Sequence, residues 1–128
     1  MSYSGQPRLF ICMSCRAGRT IADDEPTEGA RLHCELQRLL NGMSGRMPVA
    51  LTPSACLANC ERGCSGVIAM PGKWAYLLGH LSVEHAADLL IYGAAYRASA
   101  TGTVLPSRRP RSLSSVVIGR VPPLEDLA

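Results

Sequence analysis

The sequence has few aromatic residues and no long apolar run, and each of these features argues against one class of function. Only one Phe and one Trp occur among its 128 residues, so few rings are available to stack on nucleic-acid bases. No stretch approaches the roughly 18 consecutive apolar residues that a membrane helix needs. We therefore expect neither a nucleic-acid-binding surface nor a membrane span.

The sequence also lacks the residue patterns of common catalytic and nucleotide-binding sites. It has no phosphate-cradling glycine loop, no Ser/His/Asp set and no pair of carboxylates with acid–base spacing. The histidines at positions 33, 80 and 85 do not have the spacing of a metal pair with the cysteines. Beyond its thiols the chain offers little from which to build an enzyme, so we expect a carrier or binding protein.

The size and the start of the chain indicate a class and a compartment. With 128 residues, 47% of them hydrophobic, the chain fits a single globular fold. The first residues are polar and lead directly into a short apolar strand, which is unlike a secretory signal. We therefore expect a cytoplasmic protein, in which clustered cysteines indicate metal or redox chemistry rather than a disulfide framework.

Five of the six cysteines fall in two short segments, Cys12 with Cys15, and Cys56 with Cys60 and Cys64. Thiolates gathered in two short loops can converge on one soft metal centre, and zinc and iron–sulfur clusters both accept four of them. Because four ligands suffice, at least one of the five is spare. The spacing alone leaves the choice between zinc and iron–sulfur open.

Apolar spacing and capping residues predict the element order β-α-β-β-β-α, with one more strand near the end. The predicted strands are Arg8–Cys12, Met47–Pro53, Gly66–Met70, Lys73–Leu78 and Val116–Val121. One helix is predicted to begin near Thr27 and end at Asn41-Gly42, and a second to begin at Ser82. Both cysteine segments follow the ends of the first two strands, so neighbouring strands would bring them to one edge of the sheet.

This order is typical of an α/β, thioredoxin-like (ferredoxin-type) fold, a small mixed sheet with packed helices. We assign residues 8–100 to this metal-binding domain and residues 101–128 to a partly ordered C-terminal extension rich in Arg and Pro. The extension contains Arg108, Arg109 and Arg111. These arginines fit either a solvated tail or a docking strip for an acidic partner.

The segment from Cys56 to Tyr76 resembles the second half of thioredoxin-like 2Fe–2S ferredoxins. It is also similar to the small cluster-bearing subunit of respiratory NADH dehydrogenases. The shared features are the Cys-Leu-Ala-Asn-Cys start, a short Gly-containing link, an apolar strand and Pro-Gly-Lys-Trp-Ala-Tyr. More narrowly, residues 8–123 resemble a family of predicted metal-binding proteins associated with cobalamin biosynthesis and cobalt chelation.

The resemblance implies one 2Fe–2S cluster with Cys12, Cys56 and Cys60 among its ligands. Cys12, Cys15, Cys56 and Cys60 make the simplest ligand set, and a set with Cys64 in place of Cys15 is the alternative. The ferredoxins usually separate their first two cysteines by more residues than here, and the position of Cys64 is often Pro in them. The resemblance further implies single-electron transfer to a redox or metal-handling partner protein, and a homodimer. The alternative function is a non-redox protein that binds or delivers zinc or cobalt.

Two other interpretations of the thiols remain. Cys12 and Cys15 also have the layout of a thiol–disulfide oxidoreductase, a motif that works best when its first cysteine opens a helix. The acidic, Pro-containing run that follows disfavours a helix there. Cys34, within the first predicted helix, is expected to be a small core residue.

Overall fold

A computed structural model of the chain describes residues 6–14, 25–45, 47–55, 57 and 64–123. In these residues one mixed sheet carries helices on one face. The strands are β1 (Arg8–Cys12), β2 (Ala50–Ser54), β3 (Cys64–Ala69), β4 (Ala75–Leu81) and β5 (Val117–Val121), and the α-helices are α1 (Glu28–Asn41) and α2 (Ala86–Ala98). The predicted element order and the additional last strand are confirmed.

The strand order in the sheet is β2-β1-β3-β4-β5. β1 and β2 are parallel and are joined through α1, whereas every other neighbouring pair is antiparallel. The register pairs Cys12 with Ser54 and Ile11 with Gly66. The ends of β1 and β2 and the start of β3 at Cys64 therefore meet at one end of the sheet, which we call the cysteine end.

Helix α1 begins and ends where its capping residues predict. The backbone N–H of Ala30 donates to Thr27 Oγ1 at 3.0 Å, which satisfies one of the free donors of the first turn. Leu32, Leu36 and Leu40 form its buried stripe, and Gly42 is the C-cap. Local sequence signals alone account for both ends of this helix.

Helix α2 begins later than predicted because a 3₁₀ turn, Val83–His85, separates it from Ser82. The backbone N–H of Ser82 donates to His85 Nδ1 at 2.9 Å, so a histidine supplies the side chain that caps this end. Of the helices in the described part of the chain, none has both the length and the apolar character needed to cross a membrane.

The core lies between the sheet and the two helices. Leu9, Ile68 and Tyr76 are register partners across β1, β3 and β4, and all three are buried. The ring of Tyr76 packs edge-on against Tyr92 and Tyr96 of α2, with centroid distances of 6.1 and 6.4 Å. This tyrosine cluster fixes α2 over β4, since edge-to-face ring pairs add to the stability gained by burial.

The segment after residue 100 is joined to this core as far as residue 123. Val104, Leu113 and Val116 are buried, and β5 pairs with β4 along the edge of the sheet. The prolines of the segment permit only two short 3₁₀ turns, Pro106–Arg108 and Arg111–Leu113. The segment predicted as a C-terminal extension thus supplies one strand of the five-stranded sheet.

Candidate metal centre

The Cys12 side chain lies at the end of β1, next to the residue that precedes Cys56. Cys12 is the last residue of β1 and is buried, with 2% of its surface exposed. Its Sγ lies 3.9 Å from the carbonyl oxygen of Ala55 and 3.6 Å from Ser14 Oγ. Ala55 directly precedes Cys56. A thiol of the first segment is therefore adjacent to the point where the second segment begins.

The strand ladder explains this approach. The parallel pairing of β1 with β2 aligns Cys12 with Ser54, and the backbone N–H of Met13 donates to the carbonyl oxygen of Ser54 at 2.8 Å. This bond carries the pairing one residue past Cys12. The ends of β1 and β2 therefore lie side by side, as the carboxyl ends of neighbouring parallel strands do.

The first turn of α1 packs against the same place. Thr27 Oγ1 donates to the carbonyl oxygen of Met13, which ties the helix cap to the turn after β1. A Cβ built on Gly29 would lie 1.8 Å from the carbonyl oxygen of Cys12, so only glycine permits this approach. The N-terminus of α1, which carries a partial positive charge, thus lies beside Cys12 and favours negative charge there.

Cys64 is at the cysteine end as well, but in a different environment. It is the first residue of β3, fully buried at 0% exposure, and pairs with Leu81 of β4. Alternation along a strand places Cys64 on the same face as Ile68, the face that the helices cover, and places Cys12 on the same face as Phe10. The two buried thiols therefore belong to opposite faces of the sheet.

Three of the four predicted ligands, Cys15, Cys56 and Cys60, lie outside the described residues. Within residues 6–14, 25–45, 47–55, 57 and 64–123, no group of three or more His, Cys, Asp or Glu side chains is placed to hold a metal. The structure locates one predicted ligand, Cys12, and the alternative ligand, Cys64. A buried thiol beside the residue that precedes Cys56 has the chemistry of a soft-metal ligand.

A protein-family model matches residues 9–123, and its description is "Protein of unknown function (DUF1636)". The chain belongs to the DUF1636 family. The matched residues run from β1 through β5 and include all five clustered cysteines. No curated protein and no solved structure matches the chain. An activity for this DUF1636 protein must therefore be argued from its own residues.

The expectation for Cys34 is wrong, because this DUF1636 chain exposes that thiol. Cys34 lies two residues from Leu32 and two from Leu36, both buried. Two residues correspond to about 200° of rotation around a helix, which carries Cys34 to the outer face. The leucine spacing of the sequence already contained this information.

Sequence analysis missed an irregularity in β4, opposite Cys64. The register pairs Cys64 with Leu81 but Gly66 with Leu78, so β4 contains one residue more than β3 between these pairs. His80 takes a positive φ of 57° there, a conformation uncommon for a residue other than glycine. The strand predicted to end at Leu78 therefore continues through a bulge, and bulges are frequent beside functional sites.

Proposed function

We propose that this protein holds one 2Fe–2S cluster at the cysteine end and passes single electrons to a partner protein. The observation that carries the proposal is the 3.9 Å contact between Cys12 Sγ and the carbonyl oxygen of Ala55. This contact places a buried thiol of the first cysteine segment at the start of the second one. The proposed ligands are Cys12, Cys15, Cys56 and Cys60, and the cluster would supply reversible one-electron chemistry.

The described residues would prepare the site in two ways. Burial of Cys12 limits the access of water to its sulfur, and solvent access is one of the factors that set the potential of such a centre. The N-terminus of α1, held by Thr27 and Gly29, favours the negative charge of thiolate ligands. Together these features support an anionic thiolate at Cys12 that is shielded from solvent.

The surroundings of Cys64 support its assignment as a core residue rather than as the ligand that replaces Cys15. Alternation along β1 and β3 places Cys64 on the sheet face that the helices cover and Cys12 on the other face, and the register partner of Cys64 is Leu81. Cysteine is a common small residue on such buried faces. We therefore favour the ligand set that includes Cys15 over the set that includes Cys64.

We also propose that the fold is thioredoxin-like. The support is a parallel β1–α1–β2 unit followed by the antiparallel pair β3–β4 and by α2. A role in cobalamin biosynthesis, a cytoplasmic location and a homodimer rest on the sequence resemblance alone and are proposals on that basis.

Absorption and electron paramagnetic resonance spectra of protein purified without oxygen test this function. We expect a red-brown protein whose reduced form is paramagnetic. Cys12→Ala should lose this spectrum, whereas Cys34→Ala, a matched change at an exposed thiol, should keep it. Circular dichroism identifies any variant that has failed to fold.

Two outcomes would contradict the proposal in different ways. A colourless wild-type protein that contains zinc would favour the alternative, a non-redox protein that binds or delivers metal. A folded Cys12→Ala variant that retains the full spectrum would remove Cys12 from the ligand set. The contact between Cys12 Sγ and the carbonyl oxygen of Ala55 would then no longer support the proposed cluster.

A further inference from the structure

We infer that a cleft beside β5 binds a small anionic molecule with an apolar body. The cleft has a volume of about 470 Å³ and lies between β4–β5 and residues 103–109. Its lining includes Tyr76, Val104, Leu105, Arg109, Ile118 and Arg120. This volume is typical of small-molecule sites, which span roughly 300–1,000 Å³. None of the described cysteines, Cys12, Cys34 and Cys64, lines the cleft, and the inference is argued without the metal centre.

Arg109 is fixed in the cleft through one nitrogen only. Its Nε donates to the carbonyl oxygen of Val104 at 3.1 Å, and its guanidinium carbon lies 6.0 Å from the centroid of the Tyr76 ring. The two terminal nitrogens of the guanidinium have no hydrogen-bond partner among the described residues. Arg109 is therefore held in place, and its two terminal guanidinium nitrogens remain available to a hydrogen-bond acceptor.

Arg120 of β5 lines the same cleft. The register pairs Arg120 with Tyr76, and its guanidinium carbon lies 4.1 Å from the centroid of the Trp74 ring. Stacking on an aromatic face restricts the plane of the guanidinium. Two arginines thus line the cleft, Arg109 next to the ring of Tyr76 and Arg120 next to the ring of Trp74.

The charge of the cleft is uncompensated within the described part of the chain. No acidic side chain among those residues lines the cleft, and neither Arg109 nor Arg120 forms an ion pair there. Guanidinium forks match carboxylate and phosphate oxygens in pairs of parallel hydrogen bonds. The walls formed by Val104, Leu105 and Ile118 suit an apolar chain attached to that anionic group.

Titration of the full chain with hexanoate and with hexyl phosphate tests the inference. Trp74 is the only tryptophan, so its fluorescence reports on ligands that reach the neighbouring Arg120. We expect saturable binding of at least one of these anions, and the better one identifies the head group. Hexanol, which lacks the charge, and inorganic phosphate, which lacks the apolar chain, should each bind at least about tenfold more weakly.

Substitutions then test whether the two arginines bind the anion. Binding is measured by calorimetry, because Arg120→Gln alters the surroundings of Trp74 and hence its fluorescence. Arg109→Gln and Arg120→Gln should each weaken binding by at least about tenfold. Arg111→Gln, at an exposed residue of the same segment that does not line the cleft, should bind as the wild type does. The exposed position of Arg120 keeps the test valid even if Arg109→Gln disturbs the fold.

Three results would overturn the inference. The first is the absence of saturable binding by both hexanoate and hexyl phosphate. The second is an equal loss of affinity in Arg111→Gln and Arg120→Gln, which would indicate unspecific charge attraction. The third is binding of polyglutamate without binding of either small anion, which would indicate a surface for an acidic protein instead.

Discussion

Gly29 of α1 lies so close to Cys12 of β1 that a Cβ at position 29 would be 1.8 Å from the Cys12 carbonyl oxygen. The contact joins the first turn of the helix to the last residue of the strand. It involves backbone atoms on the Cys12 side, which cannot move aside as a flexible side chain can. The position of α1 relative to the cysteine end therefore depends on a glycine.

Gly29→Ala should destabilise the fold by about 2 kcal/mol, because the clash requires the helix end or the strand end to shift. The higher helix propensity of alanine offsets only about 1 kcal/mol of that cost. The same shift should displace Cys12 and reduce the metal content of the purified protein. Urea unfolding of the wild type and the variant measures the first effect, and metal analysis measures the second.

Gly42→Ala is the matched control. Gly42 ends the same helix with a negative φ of −85°, and a Cβ there would find its nearest neighbour at an ordinary 3.6 Å. Its stability should stay within about 0.5 kcal/mol of the wild type. Equal stabilities of the two variants would show that the contact between Gly29 and Cys12 does not constrain the fold.

Removal of the hydroxyl group should have opposite effects on stability at Tyr92 and at Tyr96, the two tyrosines packed against Tyr76. The Tyr92 hydroxyl is buried and has no hydrogen-bond partner among the described residues, so Tyr92→Phe should stabilise the protein by about 1 kcal/mol. The Tyr96 hydroxyl donates to the carbonyl oxygen of Trp74 at 2.5 Å, so Tyr96→Phe should destabilise it by about 1 kcal/mol. Urea unfolding should give changes of opposite sign, and a shared sign would contradict this account.

The same two tyrosines predict a loss of stability in alkali. Burial raises the pKa of Tyr96 to about 12 and raises the pKa of Tyr92 as well. In the unfolded chain both hydroxyls ionise near pH 10, so above that pH the unfolded state releases protons that the folded state retains. The free energy of unfolding should be unaffected by these groups below about pH 10 and should fall as the pH rises towards 12.

Unfolding in urea across this pH range measures the effect. Tyr92→Phe and Tyr96→Phe should each show a shallower decline than the wild type, because each removes one of the ionising groups. A decline of equal steepness in the wild type and in both variants would assign the alkaline sensitivity to other groups.

The sequence predicted those features that local patterns control. The Thr27 cap, the end of α1 at Gly42 and the break between the predicted third and fourth strands each depend on neighbouring residues, and each is present. The position of Cys12 at a strand end followed from its place after an apolar run. These signals sufficed to place the described thiol of the first cysteine pair at the cysteine end.

The features that sequence analysis missed depend on contacts between distant segments. In the sequence Gly29 is an ordinary helix residue, because its close contact with the end of β1 depends on how α1 packs against that strand. The placement of Arg109 against the Tyr76 ring and the pairing of Arg120 with Tyr76 depend on how residues 103–121 pack along β4, which periodicity does not specify. The exposure of Cys34 is a different case, because the leucine spacing of α1 does predict it. The expectation that Cys34 is buried followed the general preference of cysteine for protein cores instead.

Iron and acid-labile sulfide analysis of protein purified without oxygen is the most direct test of the proposed centre. The proposal predicts about two iron atoms and about two sulfide ions per chain, the composition of a single 2Fe–2S cluster. About one zinc ion per chain with no sulfide, the composition of a structural tetrathiolate site, would contradict it.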